Sequence, residues 1–334
     1  MEKYSKWRDA GTGIQPFLPP VPPRTDSSIL ITLSKIVCSI AGYSQGILKT
    51  LIIFALGLLY ILLVFCIGIL LTPIRPLKRI WQSLISAVII RSILFFMGFF
   101  QIKTETISVR KRFTSTLRGS GQIETATVKD GDVIIANWTS YVDVLYLAYK
   151  FQPIFTQIYS DSNSIKKISL WQAIRLVQTP PESKPSEDDK VYSLKELVSN
   201  AKQHGWGPIV IFPEGTTTNG RALLKFHPLL DQVSLDEVTF HLVSFKYEYT
   251  NMSPTFTVGN MWLHFYKLCA QFHNTLHVRI LAKRELHGST SSSTVDSLVT
   301  HLGHLFKLRK MNLNMQDKRD FLAFYEARNK KKSA

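Results

Sequence analysis

The chain has 334 residues, 45% of them hydrophobic, with 40 Lys and Arg against 24 Asp and Glu and a formal charge of +16. That length holds one large domain or two small ones, and the basic balance suits anionic lipid, phosphorylated substrates or nucleic acid; the chain carries no zinc-finger or other nucleic-acid signature, so nucleic acid is set aside as a partner. The three cysteines, Cys38, Cys66 and Cys269, are too far apart to suggest a disulfide framework or a metal-ligand cluster, which suits a reducing compartment.

Residues 1–47 read as an N-terminal arm. Its first part is polar and proline-rich, including "QPFLPPVPPR", and is expected to lie extended on the surface. A short helix containing Gly42 and Gly46 then leads toward a membrane region at 48–100. The run "LIIFALGLLYILLVFCIGILL", 51–71, holds 21 residues without a charge. At about 1.5 Å per residue it spans a bilayer core, and it is too long and too far from the start for a cleaved signal peptide. A second run, 80–100, has Arg91 near its middle. A charge there points to an interfacial or re-entrant helix with Arg91 reaching headgroups, the alternative being a second span. Lys35 and Lys49 precede the first run, and Arg75, Lys78 and Arg79 follow it. Cations on both flanks favour a hairpin with both ends in the cytosol.

From 101 to about 310 the pattern alternates between strands and helices, as in an α/β sheet. Strands are expected at 105–113, 132–137, 153–160, 207–212, 237–248 and 277–286. Helices are expected at 142–151, 169–178 and 191–205, the last capped by Ser193 and stopped by Gly205. Residues 179–190 form a polar loop. Residues 311–334 read as a basic helical tail. It ends "RNKKKSA", with Lys331 and Lys332 at the spacing of a dilysine retrieval signal, an address in the endoplasmic reticulum; a basic tail touching anionic lipid is the alternative.

Two stretches carry chemistry. In "IIANWTSYVDVLYLAYKF", 134–151, an apolar strand runs into Asn137-Trp138-Thr139-Ser140, and Asp143 follows at a helix start, where an α/β unit places functional groups. In "GPIVIFPEGTTTNGRALLKF", 207–226, a strand ends at Pro213-Glu214. Gly215 frees the backbone to turn, Thr216, Thr217, Thr218 and Asn219 offer donors, and Arg221 and Lys225 add positive charge. That turn reads equally as a phosphate cradle or as a polar cap on the next element.

These two stretches resemble conserved blocks of the PlsC-type glycerolipid acyltransferases. Phe212-Pro213-Glu214-Gly215-Thr216 is similar to the third block, and Asn137 to Asp143 stands in the place of the first, Asn-His-x-x-x-x-Asp. The resemblance implies a membrane-attached α/β acyltransferase fold over 101–310. It implies transfer of an acyl group, oleoyl for the fungal branch, from acyl-CoA to lysophosphatidic acid on the cytosolic side of the endoplasmic reticulum and lipid droplets. Acyl-CoA would be a co-substrate and no cofactor is implied. Reacylation of lysophosphatidylethanolamine or lysophosphatidylcholine, and an inactive lipid-binding protein, are the alternatives. Asp143 is the expected catalytic residue; Asn137, Trp138, Glu214, Gly215, Thr216 and Arg221 are the expected substrate contacts. Four departures stand out: Trp138 holds the place of the block's His, Thr217 that of an Arg, the second block is reduced to Arg175, and Leu242 or Val243 stands where the fourth block has a proline. An indole has no basic nitrogen, so another base, such as Asp143 through water, His227 or His241, or none at all, must serve.

Overall fold

The computed structural model describes residues 4–9, 11–21, 29–70, 75–107, 127–233, 237–249, 251–282 and 294–333. Its strands are β1 (Ile102–Ile107), β2 (Val133–Ala136), β3 (Ile154–Tyr159), β4 (Ser162–Ile168), β5 (Val191–Tyr192), β6 (Ile209–Ile211), β7 (Ala222–Leu223), β8 (Phe240–Glu248), β9 (Thr275–Leu281) and β10 (Arg309–Lys310). Its helices are α1 (Ile29–Leu62), α2 (Gly68–Leu70), α3 (Arg75–Phe96), α4 (Tyr141–Phe151), α5 (Leu170–Leu176), α6 (Leu194–His204), α7 (Met261–Ala270), α8 (Thr294–Phe306) and α9 (Met315–Ser333). Eight strands form one sheet in the order β1-β9-β8-β2-β6-β3-β4-β5, and β10 pairs separately with β7.

The centre of the sheet is parallel: β2 pairs with β6 and β8, and β3 pairs with β6. Both β2 and β6 are buried throughout. Strands covered on both faces must be apolar at every position, which is why "VIIA" and "IVI" show no alternation. Ile134, Ala136 and Val210 face one core, shared with α3, α4 and α7. Val133, Ile135, Ile209 and Ile211 face the other, shared with α6 and α8. The fold is therefore three layers, helices on a mixed sheet on helices.

Local signals for α4 and α6 act as read. Ser193 accepts from the Glu196 backbone N–H at the start of α6, and Gly205 ends it at φ 59°. Sequence reading missed the β4 hairpin and α7. In β4 the apolar alternation is hidden by Lys166 and Lys167, and α7 is a short apolar segment with a strand-like composition. The expected strand 105–113 is present as β1 to Ile107; residues 108–113 lie outside the described residues.

The membrane region differs in detail from the expectation. Two helices are long and apolar enough to cross a membrane, Ala41–Leu62 and Leu77–Phe96. The first starts ten residues before Leu51 and ends at a π-helical turn, Leu63–Ile67. Lys49 does not interrupt it, because the ammonium is buried and donates to the Gln271 carbonyl at 2.9 Å. Arg91 does not reach outward to headgroups. Its guanidinium donates to the Phe99 and Phe100 carbonyls, at 3.1 and 2.6 Å, and so ties the chain leaving α3 back to the helix.

The arm and the tail are not separate surface appendages. Trp7 and Phe17 of the arm pack with Leu224 and with Phe321 of α9, all buried. Ala334 and the side chains of Lys331 and Lys332, and with them the dilysine reading, lie outside the described residues.

One contact fixes α1 to the domain. A Cβ on Gly42 would come within 2.8 Å of the Ala270 carbonyl oxygen, and one on Gly46 within 3.2 Å of Ala270 Cα. Tyr43 and Tyr266 stack beside them. Gly46→Leu should overpack this crossing and destabilise the fold by about 1–3 kcal/mol. Gly57→Leu, with open space around it, should not. Thermal unfolding of both variants in the same detergent checks this; equal melting temperatures would contradict it.

Candidate active site

Because β2 and β6 are parallel neighbours, in register from Val133↔Ile209 to Ile135↔Ile211, they end together. The turns after them, 137–140 and 212–219, therefore meet although they lie some 75 positions apart in the chain. Three links seal the meeting. The Thr218 N–H donates to the Trp138 carbonyl at 2.9 Å and the Phe256 N–H to the Thr139 carbonyl at 2.8 Å. Asn137 bridges to β8, its amide nitrogen donating to the Phe245 carbonyl at 3.1 Å and its oxygen accepting from the Phe245 N–H at 2.7 Å. Both ends of this buried amide are taken, so Asn137 staples the first turn to β8.

Asp143 is fully buried. One carboxylate oxygen accepts from the Thr139 N–H at 2.7 Å, the Thr139 hydroxyl at 2.8 Å and the Ser140 N–H at 2.8 Å. The other accepts from the Tyr247 hydroxyl. With Ser140 as N-cap this forms the capping box of α4. Burial pushes the carboxyl from 3.8 up to about 6, with the hydrogen bonds from Tyr247, Thr139 and Ser140 pulling back. The carboxylate is engaged on both oxygens, so the geometry makes Asp143 a positioning residue for the turn.

Trp138 lies 5% exposed, its ring stacked on Phe212 with centroids 4.5 Å apart. Its indole N–H is buried and has no hydrogen-bond partner among the described residues. Trp138, Phe212 and Gly215 line a small cleft that is closed by Thr156 and Gln157 of β3, Leu176 of α5 and the segment 179–182. The cleft encloses about 20 Å³, room for about one water. On the far side of α5 lies a second cavity of about 560 Å³. Its walls come from α1 (Phe54, Leu58), α4 (Tyr141, Leu145), α5 (Ile174, Arg175) and α7 (Trp262, Phe265), and Arg175 is its one charged wall.

Glu214 is also fully buried. One oxygen accepts from the Leu224 N–H at 2.9 Å, and the other has no hydrogen-bond partner. Burial pushes this carboxyl from 4.5 up to about 8, against the pull of the Leu224 and Trp138 backbone N–H groups, of which Leu224 alone makes a full hydrogen bond. Glu214 is therefore protonated at neutral pH and braces the turn. Gly215 takes φ +64°, and a Cβ there would collide with Met315 of α9.

The rest of the expected cradle is occupied by the chain itself. Thr216 to Asn219 are buried. The Asn219 amide donates to the Gln15 and Leu18 carbonyls of the arm, at 2.7 and 3.0 Å. Lys318 of α9, almost wholly buried, donates to the Thr217 and Thr257 carbonyls at 3.3 and 2.8 Å. Arg221 is exposed and does not line the cleft.

No histidine lines the cleft among the described residues. His227 accepts from the Leu229 N–H and caps the 3-10 turn after it. His241 pairs with Asp132 at the opposite end of β2. His264 accepts from the Tyr141 hydroxyl and donates to the Ser253 carbonyl, and burial pushes it down to about 4.

Residues 85–233 match the Acyltransferase family model. The matched stretch contains β2, β6 and the turns that follow them. Over 332 residues, 99% of either chain, it is 25% identical to a Schizosaccharomyces pombe protein named for lysophosphatidic acid:oleoyl-CoA acyl transfer. It is 21% identical to a lysophospholipid acyltransferase of Arabidopsis thaliana, over 45% of this chain and 26% of that one. Among solved structures it is similar to the 1-acyl-sn-glycerophosphate acyltransferase PlsC of Thermotoga maritima, with 14% identity, a TM-score of 0.40, and coverage of 78% of this chain and 94% of that one. At that score the likeness carries no argument of its own. The stretch that matches the family model spans both turns, and Trp138 stands in the first of them.

The buried carboxyls make the domain's stability fall as pH rises. Both groups hold their protons more tightly folded than unfolded, so their favourable contribution is complete below about pH 4 and is lost through about 6 for Asp143 and about 8 for Glu214. Glu214→Gln keeps the Leu224 hydrogen bond and removes the charge. Its melting temperature should exceed wild type at pH 9 and converge with it at pH 5, each kcal/mol counting for roughly 2–4 °C. Parallel curves across that range would contradict the assignment.

Proposed function

We propose that the protein transfers an acyl group, oleoyl, from acyl-CoA to lysophosphatidic acid, releasing CoA and giving phosphatidic acid. The observation that carries this is the pair of cavities on either side of α5. The apolar cavity is in the size range of small-molecule sites, and an acyl chain fits its lining. The cleft beside it, at the junction of both turns, takes a group the size of one hydroxyl. The thioester carbonyl would lie between the two, where the acceptor hydroxyl attacks it and the CoA sulfur leaves.

Asn137, Asp143 and Glu214 hold the turns; Trp138 and Gly215 face the reacting groups. Arg175, on the wall of the apolar cavity, offers a cation to a phosphate of either substrate. Positioning alone supplies up to roughly 7–11 kcal/mol of barrier reduction, and a thioester is already activated. Loss of a general base costs about 10²–10⁴-fold, so slow transfer without the histidine is consistent with the geometry. The apolar α1 and α3 suit a site fed from a membrane, and we place it on the cytosolic face of the endoplasmic reticulum and on lipid droplets, where acyl-CoA is met.

The name of the Arabidopsis relative supports a second reading, reacylation of other lysophospholipids such as lysophosphatidylethanolamine and lysophosphatidylcholine. Trp138 in the place of a base supports a third, a lipid-binding protein without turnover. A panel of lysophospholipids with radiolabelled oleoyl-CoA, in microsomes that lack background acyltransferases, separates the three. Labelled phosphatidic acid should form fastest, and Asp143→Ala should reduce it at least 100-fold. Faster labelling of another lysophospholipid selects the second reading; no labelled product from any acceptor selects the third.

A further inference from the structure

Among the side chains lining the Trp138 cleft, one is ionisable: Glu182. We propose that the Glu182 carboxylate takes the proton from the acceptor hydroxyl, in the role that Trp138 cannot fill. This inference rests on the acyl-transfer reading above.

The carboxylate is held from outside its own loop. Gln157, on the cleft wall, donates from its amide nitrogen to one Glu182 oxygen at 3.0 Å. The other oxygen accepts no hydrogen bond among the described residues. A carboxylate oriented through one oxygen and open at the other has the arrangement a general base requires. The backbone is pinned on two sides. On the β3 side the Ser160 N–H donates to the Glu182 carbonyl at 3.1 Å, and the Asp161 N–H to the Ser183 carbonyl at 3.0 Å. On the α9 side Arg319 donates to the Pro181 carbonyl at 3.0 Å and to the Ser183 hydroxyl. Pro180 and Pro181 restrict the approach to the site further.

The remaining volume sets the scale. Room for about one water is room for the reacting hydroxyl and little else. To admit an acceptor, the bonds from Ser160, Asp161 and Arg319 to segment 181–183 must open and then re-form behind it, returning the carboxylate to the hydroxyl as they close. As the hydroxyl oxygen bonds to the thioester carbonyl carbon, its proton passes to the open Glu182 oxygen. As the carbon–sulfur bond breaks, the CoA sulfur takes that proton and leaves as the thiol. Glu182 returns to the carboxylate, and no other reactant is needed. A carboxylate is in general a weaker base than an imidazole, so the exchange of histidine for glutamate yields a slower enzyme rather than a dead one.

The test uses purified full-length protein in lipid nanodiscs with oleoyl-CoA and lysophosphatidic acid. The ionisable groups facing Glu182 are Tyr159 on β3 and Arg319 on α9, and both are left intact. Glu182→Gln should lower kcat by about 10²–10⁴-fold with KM and melting temperature nearly unchanged. Two rescues separate a chemical role from a structural one. Formate should restore part of the rate to Glu182→Ala. Adding Trp138→His to Glu182→Gln should restore at least tenfold and bring a new pH limb near 6.5, the imidazole range. Wild-type turnover with Glu182→Gln equally active overturns the inference and leaves the acyl-transfer reading standing. A slow Glu182→Gln that neither rescue restores also overturns it. A wild-type protein inert toward every lysophospholipid overturns both.

Discussion

The site depends on one pairing, the parallel register of β2 with β6. Two short, wholly apolar strands lie side by side and stop together, so each delivers its polar turn to the same edge. The pairing is cheap to specify, because strands buried on both faces need only be apolar and short. The costs fall on the turns, where backbone groups with no ladder partner must be satisfied one at a time. Asp143 satisfies four donors at once, two of them backbone N–H groups, Asn137 two backbone groups of β8, and Glu214 the N–H of Leu224, just after β7. These side chains are better understood as the frame of the site than as its chemistry.

The frame is closed from outside by the two ends of the chain. Pro16 and its neighbours strap Asn219, Met315 covers Gly215, and Lys318 reaches the Thr217 carbonyl. Lys318 shows what the closure costs. It has only carbonyls as hydrogen-bond partners, its ammonium sits 5.1 Å from the Phe17 ring centroid, and burial pushes it down to about 7. A cation kept there binds the tail to the turn after β6. Arg319, one residue on, binds the same helix to the segment carrying Glu182. The cleft is thus built from four stretches, and two of them lie outside the turns that identify the family.

Much of this was legible in the sequence, and the division has a physical cause. The central strands, the Ser140 turn, α6 with its Ser193 and Gly205 caps, and the junction of residues 137–143 with 212–218 follow from local pattern and from a resemblance carried by contiguous residues. Arg91 was misread because a charge in an apolar run says nothing about the carbonyls it will meet when the chain turns back. The arm and tail were misread because a polar composition gives no sign that Trp7, Phe17 and Phe321 will pack together. Glu182 was hidden in a loop of ordinary polar composition, and only the β3–β4 hairpin and α9 bring it to Trp138. Its one sequence signal was the Pro180-Pro181 pair before it.

The central claim is that the two cavities flanking α5 are one acyl-transfer site. An experimental structure with a non-hydrolysable thioether analogue of oleoyl-CoA tests it most directly. The acyl chain should occupy the apolar cavity between Phe54, Leu145 and Trp262, with the sulfur at the cleft formed by Trp138, Gly215 and Glu182. An analogue whose chain lies elsewhere, or whose sulfur is separated from Trp138 by the closed 179–182 segment, would contradict the account.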